Sequence, residues 1–120
     1  MKPFFHEGQV EVDGETLHLV CNFRSLDVIE SVTGEKMSNI LPQLIDPPHS
    51  LVGKVLWGLL RERHEDVTLD QAAGVAFGAE GAAVGLVMGD VLRRAFNIGE
   101  GKKENPPKRR GTSRSSAKSG

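Results

Sequence analysis

The chain has 120 residues, 38% of them hydrophobic and 26% charged, with a formal net charge of -1 and a single cysteine. That length accommodates one domain, since domains commonly run to about 100–150 residues, and a lone Cys21 excludes a disulfide framework and any thiolate-based zinc or iron–sulfur site. The near-zero charge is a sum of two unlike parts: residues 1–99 hold 8 Lys+Arg and 14 Asp+Glu, net -6, whereas residues 100–120 hold 7 and 2, net +5.

Residues 1–7 carry neither the apolar run nor the small-residue cleavage site of a signal peptide, so the chain reads as intracellular. Residues 8–21 then give the clearest local signal. Two alternating runs flank Asp13-Gly14, a pair suited to the positive φ angles of a type I′ turn. A two-residue loop sets Val12 opposite Glu15, Val10 opposite Leu17 and Gln9 opposite His18. In that register Val10, Val12, Leu17, Leu19 and Cys21 share one face, and Gln9, Glu11, Thr16 and His18 share the other. A lone hairpin is only marginally stable, so helices must cover the apolar face.

Phe23, Leu26, Ile29 and Val32 recur at helical spacing between a candidate N-cap, Asn22, and a terminating Gly34. A short second helix is expected from Ser38, and Asp46-Pro47-Pro48 breaks the chain after it. A third helix is predicted from Ser50 to His64, with Val52, Val55, Leu56, Leu59 and Leu60 along one stripe. Thr68-Leu69-Asp70-Gln71 has the form of a capping box and opens a fourth helix through Phe77. A fifth carries Val84, Val87, Met88, Val91, Leu92 and Ala95 and stops at Asn97. The fold class that results is α+β, an N-terminal β-hairpin packed on a small bundle of four to five α-helices. Residues 1–99 form the domain and residues 100–120 a disordered basic tail without large apolar residues.

Within residues 72–89 Glu80 is the only charge, and Gly81, Gly85 and Gly89 repeat every fourth position, as in membrane helix pairs. The stretch owes its apolar character mainly to Ala and Gly, so close helix packing in a soluble domain is the preferred reading and no membrane is expected.

Candidates for chemistry are few. The four histidines contain no His-x-x-x-His pairing and read as solvated side chains, so no metal is expected. Cys21 falls on the apolar face and reads as a small hydrophobe. Gly78-Ala79-Glu80-Gly81 follows a helix rather than a strand and is no phosphate loop. The carboxylates look dispersed, without a pair in an evident pocket. No catalytic residue and no cofactor is assigned, and the chain reads as a non-enzyme. Trp57 lies between the polar and apolar sides of the third helix, as a core residue or a binding hot spot.

The hairpin with its central Asp-Gly is followed by Asn22-Phe23-Arg24-Ser25-Leu26-Asp27-Val28-Ile29-Glu30-Ser31-Val32-Thr33-Gly34. Further on comes Leu56-Trp57-Gly58-Leu59-Leu60-Arg61-Glu62-Arg63-His64-Glu65-Asp66-Val67-Thr68-Leu69-Asp70-Gln71-Ala72. Over about residues 8–97 this order resembles the gene-transfer-agent-type phage tail assembly chaperones, sometimes labelled tail tube proteins. The resemblance implies a non-enzymatic assembly factor of a phage or prophage that binds the tape measure protein, helps recruit tail tube subunits, works in the cytoplasm of the bacterial host and is absent from the finished particle. A groove for such a partner is expected from Trp57, Leu60, Gly81, Gly85, Met88, Gly89 and Leu92. The alternatives are a structural tail subunit retained in the particle, and a small nucleic-acid-associated module. The latter would act through Lys102, Lys103, Lys108, Arg109, Arg110, Arg114 and Lys118 and is the lesser option; a homo-oligomer stays open.

Overall fold

The computed structural model describes residues 3–97. Strands β1 (Phe5–Val12) and β2 (Glu15–Asn22) form a two-stranded antiparallel sheet, followed by α1 (Phe23–Thr33), α2 (Met37–Gln43), α3 (His49–Leu60), α4 (Leu69–Ala76) and α5 (Gly81–Phe96). The fold is therefore the α+β arrangement expected, a hairpin with five helices. The tail, residues 100–120, lies outside the described residues.

Local chemistry sets the hairpin. Asp13 and Gly14 take φ of 53° and 77°, the left-handed pair that a type I′ turn needs and that twists with the strands. The predicted register follows, with Val12 facing Glu15, Val10 facing Leu17 and Gln9 facing His18. Val12, Leu17, Leu19 and Cys21 are buried on the apolar face. The α5 helix lies across that face at Gly8, where an added methyl would come within 2.7 Å of the Val87 and Val91 side chains. The opposite face is not simply solvated. Val20, paired with Glu7, is also fully buried there, although it stands apart from the main core cluster.

Caps position the helices. The Asn22 carboxamide oxygen accepts the Ser25 backbone N–H at 2.9 Å while the Asn22 N–H donates to Ser25 Oγ at 2.8 Å, a reciprocal box that satisfies both groups of a buried serine. Gly34 ends α1 at φ 73°. Thr68 and Gln71 make the second box, at the start of α4. The α2 helix starts at Met37, one residue before the expected Ser38, with Lys36 at its N-cap.

The central element is α3, which buries Leu51, Val55, Leu56, Leu59 and Leu60 against α1, α4 and β2. Close backbone approach happens on this helix. A methyl on Gly58 would meet Ile29 Cγ1 of α1 at 2.3 Å, and one on Gly53 would meet Ala73 Cβ of α4 at 3.1 Å. Of the α5 glycine line, expected to serve that purpose, only Gly81 does so, where a methyl would meet Ala76 O at the end of α4 at 2.3 Å; a methyl at Gly85 meets nothing within 4 Å, and one at Gly89 meets only Arg93 of its own helix. Residues 72–89 are divided between α4 and α5, as the sequence predicts, with the two helices bent by 107° at the Phe77–Glu80 break. No single described helix is long and apolar enough to cross a membrane.

The third helix stops at Leu60 rather than at His64. The Arg61 N–H bonds back to Gly58 O at 3.3 Å in a tightened last turn. Its guanidinium then collects the carbonyls of His64, Glu65 and Val67, which a continuing helix would aim away from it.

Candidate functional site

Two features of residues 61–67 shape the surface beside the hairpin. The first is a clamp. Trp57 Nε1–H donates to Val67 O at 2.9 Å, the Arg61 guanidinium lies 4.5 Å from the centre of the Trp57 ring, and Arg61 Nη2 donates to the same Val67 oxygen. Arg61 Nε is buried without a hydrogen-bond partner among the described residues.

The second is a pair of histidines. The His18 backbone N–H, on the open edge of β2, donates to His64 Nε2 at 3.0 Å, and the two rings stack with centroids 5.8 Å apart. An acceptor Nε2 requires neutral His64 with its proton on Nδ1. Burial, then the neighbouring His18, pull the His64 pKa down, against a smaller upward pull from Glu15. His18 Nδ1 lies 3.0 Å from Glu7 Oε2, and Arg63 reaches the other oxygen of Glu7 at 3.4 Å. Asn22 and Arg24 both engage Glu62. These contacts bring the charged residues 62–65 over the second face of the hairpin, around buried Val20. The reading of His18 and His64 as solvated side chains is thus corrected. The partnership spans 46 residues of sequence and depends on the turn after α3. His49 likewise meets Phe77 edge-on at 5.2 Å, and His6 meets Phe4 at 5.4 Å.

Beside this turn lies a groove of about 430 Å³, walled by the hairpin turn, the end of α3 and α4. Buried Val12, Leu17 and Leu60 give it an apolar floor, with Val67 and Val75 beside them. Asp13, Glu15 and Glu80 stand at its rim, and its lining contains no Lys or Arg. None of these three carboxylates enters an ion pair among the described residues. The expectation that the carboxylates are dispersed is corrected here, because the hairpin turn and the α4–α5 break carry them to one opening. Their sequence signal was the placing of all three in or directly beside tight turns, and only the fold reveals that the turns line one groove.

The residues proposed from sequence as a partner surface do not form one surface. Leu60, Met88 and Leu92 are buried in the core cluster, and of the seven only Leu60 lines the groove. Trp57 is half-buried, with its indole N–H committed to the clamp. A methyl on Gly81 would meet Ala76 O at 2.3 Å, so this glycine serves the α4–α5 break. Gly85 and Gly89 face away from the core. Lys102, Lys103, Lys108, Arg109, Arg110, Arg114 and Lys118 lie outside the described residues.

Among the described residues no group of three His, Cys, Asp or Glu side chains is arranged to hold a metal ion. Cys21 is buried, and desolvation outweighs a hydrogen bond from Ser25 to push its thiol up to about 11. Fold and site together define a small hairpin-plus-helix domain with an acid-rimmed, apolar-floored groove. The chain matches no family model, no curated protein and no solved structure.

Proposed function

We propose that this chain is a non-enzymatic phage or prophage tail assembly chaperone, one that binds the tape measure protein and helps recruit tail tube subunits. What supports the reading is residues 56–72, the longest segment of the family resemblance. The same segment closes through the Trp57–Arg61–Val67 clamp and supplies Leu60, His64, Val67 and Gln71 to the groove. An amphipathic client helix uses apolar anchor side chains spaced along one face, and an apolar-floored groove of this volume accepts such anchors one or two at a time. Phe77 and Leu86, both exposed, add apolar surface just past the end of α4 and on α5. An acidic body also keeps a chaperone and its apolar client soluble while they are joined. On this reading the protein acts in the host cytoplasm and leaves before the particle is complete.

Co-expression with the tape measure protein encoded nearby tests it. The expected result is a soluble complex of the two and a rise in the soluble fraction of the tape measure protein. A chain that neither binds it nor keeps it in solution overturns the reading. Its recovery as an abundant component of purified particles would favour a retained tail subunit instead.

A further inference from the structure

The groove has a counterpart within the chain. Its rim carries Asp13, Glu15 and Glu80, all free of ion pairs among the described residues, and its lining contains no cation. The cations are concentrated elsewhere: residues 100–120 hold 7 Lys+Arg and 2 Asp+Glu, against 8 and 14 in residues 1–99. We propose that the basic tail of this same chain, centred on Pro106-Pro107-Lys108-Arg109-Arg110, docks in the acid-rimmed groove and occupies it until a partner displaces it.

The chemistry of the segment suits the floor as well as the rim. Proline rings and the methylene stems of Lys and Arg are apolar and pack on a floor of Val and Leu, while the charged heads stay at the opening. Two successive prolines fix φ at both positions, which lowers the entropy lost on docking an extended segment. No large apolar residue is needed, and the tail contains none.

The reach also suffices. The N-terminus of α5 lies at the groove, next to Glu80, and its 16 residues carry the chain about 24 Å away at about 1.5 Å per residue. Asn97 ends the helix in the left-handed conformation, φ 55°, which turns the chain off the helix axis. The ten residues 98–107 span about 31 Å at about 3.1 Å per residue, enough to return to the groove.

This inference does not rest on the tape measure reading, and it is tested on the full chain alone. A nitroxide is attached through Ser113→Cys and the amide signals of the body are followed by NMR; buried Cys21 stays unlabelled in the folded protein. The expected result is broadening concentrated at Gly74, Gly78 and Glu15 that fades as salt rises from about 0.1 M to about 1 M, where the Debye length shrinks from about 10 Å to about 3 Å. Tail reversal, K108E/R109E/R110E, cannot unfold the body and should abolish the pattern, as should E15K/E80K. Broadening that is absent, uniform or centred on another face overturns the proposal. So does broadening that appears only between molecules when spin-labelled chain is mixed with isotope-labelled chain, because the occupant is then a second copy.

Discussion

Trp57 and Arg61 donate to one acceptor: the indole N–H and the guanidinium both bond to the Val67 carbonyl oxygen, with the guanidinium stacked over the indole. One helical turn separates the two side chains, so the end of α3 presents them as a pair, and the pair holds the following six residues in a tight return toward α4. That return sets one wall of the groove.

Removing either donor should loosen the turn without dissolving the core. Trp57→Phe keeps an aromatic ring, smaller than the indole, and deletes the N–H bond to Val67 O, with an expected loss of at least about 1 kcal/mol. Arg61→Ala deletes every bond from the guanidinium to the turn, with an expected loss of about 1–3 kcal/mol. Their effects should be coupled, the double variant differing from the sum of the single ones by more than about 0.5 kcal/mol. Urea unfolding followed by circular dichroism checks this; strict additivity would mean that the two side chains act independently.

The glycines make opposite predictions. Gly58→Ala forces a methyl into Ile29 between α3 and α1 and should destabilise the domain by about 1–3 kcal/mol, the usual cost of overpacking. Gly85→Ala meets open space in the interior of α5 and should stabilise it by about 0.5–1 kcal/mol through helix propensity. Thermal melts of the two variants beside the parent chain decide the matter, and a destabilised Gly85→Ala would show that the α5 glycine line is packed after all.

Acid should weaken the fold through His64. Its pKa in the folded state lies below the ordinary 6.5, because burial and His18 disfavour the charged ring. Between those two values the unfolded chain binds more protons than the folded one. The stabilising effect is therefore fully present above about pH 6.5 and is lost as the pH falls through the folded value. Protonation also removes the acceptor that holds the His18 N–H at the edge of β2. His64→Gln, which cannot titrate, should unfold with a smaller change in urea midpoint than the parent between about pH 7.5 and about pH 5.5, a range in which few other side chains change charge. Equal changes in both proteins would remove His64 as the cause.

Much of this fold was legible because its signals are local. The Asp13-Gly14 turn fixes the register of the whole hairpin, and the two capping boxes join residues only three apart. The apolar stripes of α3 and α5 follow from the helical period. The groove was not legible. It depends on Glu15 and Glu80 lining one opening across a distance in sequence that no local rule connects, and on α3 ending where Arg61 finds carbonyls three to six residues ahead. The α5 glycines misled for a related reason. Four-residue spacing records that a helix face is smooth, but not whether another helix lies on it: Gly81 meets the end of α4, Gly85 and Gly89 meet no other element, and the close approach between helices in the core is made by Gly53 and Gly58 of α3.

Cys21 should be silent in the folded protein and report its unfolding. The thiol is fully buried and its pKa is pushed up to about 11, so near pH 8 about one molecule in a thousand would carry the thiolate even if reagent could enter. Alkylation in native buffer should proceed only through openings of the hairpin from α5, at a rate that rises with urea in step with the loss of circular dichroism. Gly8→Ala, which crowds Val87 and Val91 where α5 crosses the hairpin, should speed the reaction, whereas Arg61→Ala, acting at the far side of α3, should change it less. The comparison separates opening at the apolar face of the hairpin, which carries Cys21 and which α5 crosses at Gly8, from loosening of the turn after α3. Rapid labelling of the parent chain without denaturant would show that the apolar face of the hairpin is open in solution.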